Sequence, residues 1–578
     1  MNAELKKIRD IFHNDQLLMV PYYQRRYVWD DNNWKRFADD LEDTAESSSN
    51  YFLGAIISKE VQPTTEMRNN GIADCGIIVD GQQRLTTLAI YMKILHLMTN
   101  KNEDFNAYYM CNDNPVIKHN CDDKPAFDYI MKLDTFPAHH SIPDCSLLKA
   151  YEYFKKRFED WRDAGKSLDA LRTSVYTSVK FVAIKLSVDD DEQQIFDTIN
   201  SLGVDLTTDE LLKNYLYQSS PEKEYSKWRT MFDIDSSRDF WGTNAAKSRE
   251  EATRDKRVID RFLHAFVLIK MWDFKNKLND IQRKEFVKAN NVYKACKVFV
   301  EEFGMDRIDL ANEILEYAKL FKDNFDESIL DNLIPSDFGI ERISCYVNAT
   351  QTYVMLPYIL FVLKNVTNST EISEICKVLE TYVIRRKLAH SDDKMYTDLF
   401  SENLIGGQKC LTAASLKNYF QTRTSALAVP SDLDIKAKIG IKGYDDTSAQ
   451  VLLYMFETKQ NSSFTGSYND YKAEQLMPKP CDKANLNWSV LSNRDDEEQR
   501  KVLIKSLGNY FLYDSAGESV VKKSHNEDLT TKKNDINPWI GNINSSAQLS
   551  RITVWNSQTI TDRNNDIATF FVTKVWLF

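Results

Sequence analysis

Residues 76–89 read GIIVDGQQRLTTLA. The apolar run Gly76–Val79 ends at Asp80-Gly81, and from Arg84 onward Leu85, Leu88, Ala89, Met92 and Leu95 recur at helical spacing. The pattern predicts a strand, a sharp turn and an amphipathic helix over 84–98. An acid, two amides and a guanidinium are crowded onto the turn between them.

A strand that feeds a helix through a tight turn offers unpaired backbone N–H groups and the positive end of the helix dipole, which together suit phosphate. Gly81 lets the backbone approach a ligand closely. Arg84 can hold phosphate oxygens bidentately, while the amides of Gln82 and Gln83 can orient a water or a base without adding charge. Asp80 can help hold a metal ion or accept a proton. The plainer reading stands beside it: Asp-Gly is a common turn, and an arginine at a helix start also pairs with nearby carboxylates. Gly165-Lys166-Ser167 is not a competing P-loop, because position 160 is Asp and the tract follows a helix.

Upstream, PYYQRRYVWDDNNWKRFADDL predicts an extended segment and a helix beginning near Asp31, and YFLGAIIS predicts a strand. Downstream, 101–145 is rich in Asn, Asp and Pro and reads as an irregular insertion. A helical pair over about 147–180 then precedes the strand KFVAIKLSV. Residues 191–217 have helix–turn–helix character, with Gly203 at the turn and Thr207 or Thr208 as cap. From about 255 to 425 the pattern is helical. Residues 428–445 read as a connection, and the last block closes with a helix carrying Ile560, Ile567, Phe571 and Trp576.

With 578 residues the chain exceeds one hydrophobic core, so about two to four domains are expected. Hydrophobic residues at 43% and charged residues at 28% mark a folded chain rather than a disordered one. No apolar run reaches bilayer-spanning length and MNAELKKIRDIFHN lacks the features of a signal peptide, so the expected location is the cytoplasm, away from membranes. Nine scattered cysteines without a CxxC fit reduced thiols, and Cys111, His119 and Cys121 match no zinc spacing. A net charge of −11 leaves nucleic-acid contact to local basic patches: Gln24-Arg25-Arg26, Arg385-Arg386-Lys387 and Lys522-Lys523 to Lys532-Lys533.

Pro21, Tyr23-Gln24-Arg25, Tyr27 and Trp29, then Phe52-Leu53-Gly54, then Asp80 to Leu88, resemble in order and spacing the N-terminal domain of GmrSD-type restriction proteins. Phe196, Asn200, Gly203, Leu206 and Lys213-Asn214 extend the resemblance through FxxxNSxG and LxKN elements, over about the first 220 residues. It implies a ParB-like (sulfiredoxin-like) α/β domain that binds and hydrolyses nucleoside triphosphates, coupled to a nuclease directed against modified phage DNA. Carried onto this chain, Asp80, Gln82, Gln83 and Arg84 are the catalytic set. Gln24, Arg25, Gly81, Thr86, Asn200 and Lys213 bind the nucleotide, with Mg²⁺ or Mn²⁺ as the implied ion. One departure is Glu210, where the family usually has Asp.

The C-terminal end resembles the family's HNH-type nuclease domain in degraded form. Ala473-Glu474-Gln475-Leu476-Met477-Pro478 stands where the family has Glu-His-Ile-Met-Pro; Trp488, Leu507-Gly508-Asn509, Trp555, Ile560, Arg563 and Trp576 match further elements. Gln475 replaces the histidine that an HNH site uses as general base, and a carboxamide cannot take the proton. Beyond position 390 the chain has one histidine, His525, so any rescue falls to it or to a carboxylate such as Glu474. Asn509 and Asn526 could still help hold a metal or shape the fold.

The expected fold class is therefore α+β and multidomain: a ParB/sulfiredoxin-like domain over 1–230, an α-helical domain over 231–430 and a degenerate HNH (ββα-metal-like) domain over 431–578. The expected function is antiphage, modification-dependent restriction driven by a nucleoside triphosphate, with DNA, and a second copy or a defence-system protein, as partners. A nuclease-deficient sensor of nucleotide or DNA is the alternative.

Overall fold

The computed structural model describes residues 2–47, 49–187, 206–218, 220–243, 257–478, 501–551 and 553–578. The chain divides into two compact units, Met1–Ser226 and Lys227–Phe578.

The first unit is built on a mixed six-stranded sheet of order β1-β8-β3-β4-β2-β7. Its elements are β1 (Asn2–Lys7), α1 (Ile8–Ile11), β2 (Gln16–Met19), α2 (Asp31–Ser47), β3 (Tyr51–Glu60), α3 (Thr65–Asn69), β4 (Asp74–Asp80) and α4 (Gln82–Met98). They continue as α5 (Asn102–Tyr109), the small pair β5 (Met110–Cys111) and β6 (Asn114–Pro115), β7 (Ile117–Lys118), α6 (Lys124–Met131), α7 (Ser146–Asp163), α8 (Leu168–Ser178), β8 (Val179–Leu186) and α9 (Thr208–Tyr217). Parallel pairing of β2 with β4 brings their C-terminal ends together, and β3 runs antiparallel to β4 with Ile57 opposite Asp80. Alternation along the strands divides the two faces. Ile56 and Ile78 face a core filled by α2, α4, α7 and α8, whereas Ile57, Val79 and Leu186 face Leu206 and Leu211 of the α9 segment.

The strand, turn and helix expected over 76–98 form as β4, Gly81 and α4. The stretch expected to be irregular over 101–145 instead holds α5, α6 and the sheet's edge strand β7. Phe105 and Tyr109, one turn apart, anchor α5 in the core, and Pro125 in the first turn of α6 needs no N–H partner. Asn112, Asp113, Asp122 and Asp123 lie in the turns between these elements. β1 is too polar and β2 too short to stand out from the sequence; their pairing to longer neighbours makes them strands. The Gly165-Lys166-Ser167 tract is a helix junction: Gly165 follows α7, Ser167 caps α8, and Lys166 pairs with Glu46.

α4 is buried almost all round, including two ionisable side chains. His96 donates Nδ1–H to the Met92 carbonyl at 2.7 Å and its Nε2 accepts from Tyr176 Oη at 3.2 Å. Burial pushes its pKa down to about 4, so the fold holds it neutral. Its folded pKa lies below the unfolded 6.5, so this site costs nothing above pH 6.5 and removes stability as pH falls from 6.5 toward 4, by roughly 1.4 kcal/mol per pH unit. Denaturant midpoints measured from pH 7.5 to 5 should therefore fall more steeply for the wild type than for His96→Phe; equal slopes would refute this account.

The second unit is mainly helical. Long helices Val258–Lys270, Arg307–Phe325, Ile340–Thr350, Leu356–Asn365, Ser369–Leu388 and Asp446–Gln460 precede an antiparallel pair, β9 (Tyr471–Gln475) and β10 (Tyr510–Asp514), and the closing helix Ser557–Phe570. Leu476, Met477, Phe511, Trp555 and Ile560 form the core around the pair. The expected connection 428–445 contains a helix, Asp432–Lys438, and is fastened by two buried arginines. Arg385 donates to the carbonyls of Pro430 and Trp576, and Arg386 to those of Ala428 and Asp392. These two side chains are internal staples, so the Arg385-Arg386-Lys387 cluster is not a surface patch for DNA.

Candidate functional site

The amino end of α4 is assembled by three glutamines. Gln24, in the loop after β2, donates to the carbonyls of Ile78 at 2.7 Å and Val79 at 3.2 Å and so lays the loop along the end of β4. Gln82 donates to the Arg25 carbonyl at 2.7 Å. Gln83 donates to the Arg26 carbonyl at 3.2 Å and accepts from the Val28 N–H at 2.9 Å. Tyr27 completes the seam: its hydroxyl lies 2.7 Å from Thr87 Oγ1 and receives Trp34 Nε1–H at 2.8 Å. The aromatic segment thus packs into the core, with Tyr27 buried and Trp29 edge-on to Phe37.

Gly81 is the N-cap in a left-handed conformation, φ +99°, and no side chain caps the helix. The first-turn N–H groups accordingly have no intrahelical partner, and no acidic residue sits in that turn to offset the dipole. Arg84 Nη2 donates to Asp80 Oδ2 at 2.7 Å, both side chains being about one quarter exposed. Gly54, with φ +114°, lies under this guanidinium; a Cβ there would collide with Arg84 Nη1. The plainer expectation for Arg84, pairing with a nearby carboxylate, is what the side chain does, and the pair stays open to solvent.

The structure places the other expected residues unevenly. Gln82 Oε1 is buried without a hydrogen-bond partner, while both ends of the Gln83 amide are committed to the 26–28 loop. Arg25 is half-buried, and its guanidinium has no partner among the described residues. Thr86 is buried, donating to the Gln82 carbonyl at 2.7 Å. Lys213 is buried on α9, which packs beside Val79. Asn200, with Phe196 and Gly203, lies outside the described residues. Glu210 is a helix-cap partner, accepting the Thr207 N–H at 2.9 Å, a role that accounts for a carboxylate at that position.

Two features of this corner have no signal in the sequence of the turn itself: Gly54 beneath the Arg84 guanidinium, and the support behind Thr86. His119 Nε2 lies 3.0 Å from Thr86 Oγ1; since that hydroxyl already donates to Gln82, the imidazole is the donor. Burial pushes the His119 pKa down to about 3 and that of neighbouring Asp123 up to about 6. Asp123 also accepts the Tyr27 N–H at 2.7 Å, tying the 119–123 turn to the site loop. Cys111 is elsewhere, against the Asn70 carbonyl, so these residues make no metal cluster.

In the second unit, Gln475 faces inward: its Nε2 donates to Tyr510 Oη at 2.8 Å. Asn509 is saturated, bonding the Met477 backbone on both sides, the Ile504 carbonyl and Trp555 Nε1. Glu474 Oε1, on the other face of β9, lies 2.6 Å from His525 Nδ1. Asn526 is exposed beside it. Lys532, expected in a basic surface patch, is fully buried and donates to the carbonyls of Gln475 at 2.6 Å and His525 at 3.0 Å.

Residues 8–217, from α1 to the end of α9, match the family described as GmrSD restriction endonuclease, N-terminal domain. No curated relative matches the chain.

Proposed function

We propose that this chain, whose residues 8–217 match the N-terminal domain of GmrSD restriction endonucleases, binds and hydrolyses a nucleoside triphosphate at the amino end of α4 and acts on DNA, modified phage DNA in particular. The reading assigns a ParB/sulfiredoxin-like fold to 1–230, a helical domain to 231–430 and an HNH-like fold to 431–578. The observation that carries it is Arg84, seated on Gly54 and paired with Asp80 beside an uncapped helix N-terminus. The first-turn amides and Arg84 take the phosphates, Arg25 reaches them from the facing loop, and the buried Gln82 Oε1 is the acceptor that aligns a water.

A divalent ion fits this set in one way. Among the described residues no three His, Cys, Asp or Glu side chains converge. Magnesium or manganese is commonly held by one or two carboxylates together with substrate phosphates, and Asp80 is the carboxylate in place. Such an ion would neutralise phosphate charge, with Arg84 moving from Asp80 onto the phosphates.

The test is to incubate the purified chain with modified or unmodified phage DNA, Mg²⁺ or Mn²⁺, and each nucleoside triphosphate in turn. Turnover of a triphosphate and nucleotide-dependent strand breaks confined to modified DNA are expected. No heat of nucleotide binding in calorimetry would overturn the assignment. A second reading, a nuclease-deficient sensor acting through a partner, is favoured by Gln475, whose amide is spent on Tyr510; tight DNA binding without breaks under every condition is its expected result.

A further inference from the structure

Glu474 and His525 lie 51 residues apart, yet the fold brings them to 2.6 Å. We infer that they form a relocated general-base dyad for phosphodiester hydrolysis, serving from the Glu474 face of β9 in place of the strand position occupied by Gln475. The inference rests on the reading of the chain as a DNA-directed restriction protein and deepens it by naming the groups that activate water.

The arrangement has the parts a general base requires. Glu474 accepts the Nδ1–H of His525, so Nε2 is the ring nitrogen turned away from the carboxylate and the one that takes a proton from water. The carboxylate is itself oriented: Oε1 also accepts the Gln475 N–H at 3.1 Å and lies 4.0 Å from Lys532 Nζ. The imidazole side chain is 36% exposed, and its Nε2 has no partner among the described residues, so water and substrate can reach it.

Lys532 makes the pairing more than a chance surface contact. A lysine with no exposed surface is expensive to bury, and this one spends its ammonium on the carbonyls of Gln475 and His525. It thereby fastens the turn that carries His525 to the end of the strand that carries Glu474. An exposed Glu–His pair without such a staple would contribute little and wander.

Two lysines stand beside the pair, and the segment around His525 also carries Glu518, Glu527 and Asp528. Lys472 shares the Glu474 face of β9, two residues away, and Lys523 is exposed at the end of the helix Glu518–Lys523 that leads to His525. Cations flanking a carboxylate–imidazole pair suit a phosphodiester. In the step, His525 Nε2 takes a proton from water as the water oxygen bonds to phosphorus. The bond from phosphorus to the leaving sugar oxygen breaks, that oxygen takes a proton from solvent, and the imidazolium returns its proton to solvent.

The experiment measures strand breaks and triphosphate turnover in the same samples of the full chain with Mg²⁺ or Mn²⁺, for wild type, His525→Ala, Glu474→Gln and Lys532→Met. His525→Ala should cut at least about 100-fold more slowly with unchanged triphosphate turnover, and added imidazole should restore part of the cutting. Glu474→Gln should fall roughly 10- to 100-fold without rescue by imidazole. Lys532→Met should also fall without rescue, as a positioning residue. Independently of whether the variants fold, long-range ¹⁵N–¹H spectra of the wild type should show His525 protonated on Nδ1. Cutting by His525→Ala at the wild-type rate would overturn the dyad. Wild-type protein that turns over triphosphate but never cuts DNA would also overturn it and leave the nucleotide site standing. Dyad-dependent breaks without any triphosphate turnover would support the dyad and sink the nucleotide reading alone.

Discussion

Arg84→Ala should lower triphosphate turnover by about 100- to 1,000-fold, the usual range for removing one preorganised donor to developing phosphate charge. The same change should barely affect stability. The Arg84–Asp80 pair is about one quarter exposed on both sides, and ion pairs so open to water contribute at most about 1 kcal/mol. Arg84→Lys should not rescue, because an ammonium is a point charge that cannot hold two phosphate oxygens through the planar fork of a guanidinium. Gly54→Ala tests the seat rather than the side chain: its Cβ would collide with Arg84 Nη1, and φ +114° is strained for any residue with a Cβ. That variant should lose turnover comparably and lose stability as well. Turnover rates, nucleotide affinity by calorimetry and melting temperature together separate the two effects. Wild-type turnover in Arg84→Ala would refute the phosphate-binding role of this turn.

Much of this site is legible in the sequence because its parts are local. A strand, Gly81 and a helix lie within 25 residues, so periodicity alone locates the turn and its polar residues. What periodicity cannot supply is the partner of each polar atom. Gln24, Gln82 and Gln83 look alike as amides beside phosphate, yet Gln24 and Gln83 spend theirs on backbone carbonyls and an N–H of β4 and the 26–28 loop, and Gln82 keeps one buried acceptor open. Gly54 is visible as part of a Phe-Leu-Gly motif; its reason is the guanidinium of Arg84, far along the chain. The arginines at 385 and 386 show the same limit in reverse, since charge in a sequence reads as surface until the carbonyls that hold it are seen. His525 among lysines gave no sign of Glu474, because antiparallel pairing and the buried Lys532 create that proximity.

The largest expected loss of stability comes from a second pair of charges, with no exposed surface at all. Arg342 donates Nη2–H to Glu380 Oε1 at 2.8 Å and Nε–H to Oε2 at 3.0 Å, and its Nη1 reaches the Pro335 carbonyl and Thr458 Oγ1. Glu380 Oε1 also accepts Trp576 Nε1–H at 3.2 Å. One ion pair thus joins the helices Ile340–Thr350, Ser369–Leu388 and Asp446–Gln460 to the closing segment. Removing either partner strands the other charge in the interior, so Glu380→Ala or Arg342→Ala should each cost about 3–5 kcal/mol. Replacing both at once, as Arg342→Met with Glu380→Leu, removes the stranded charge and should cost less than either single change. Denaturant unfolding of the full chain, followed by tryptophan fluorescence to catch release of Trp576, measures all three. Single variants within 1 kcal/mol of wild type would show that the interior around Glu380 admits water. A double variant worse than both singles would show that the pair's worth lies in its hydrogen bonds to Thr458, Pro335 and Trp576 rather than in its charges.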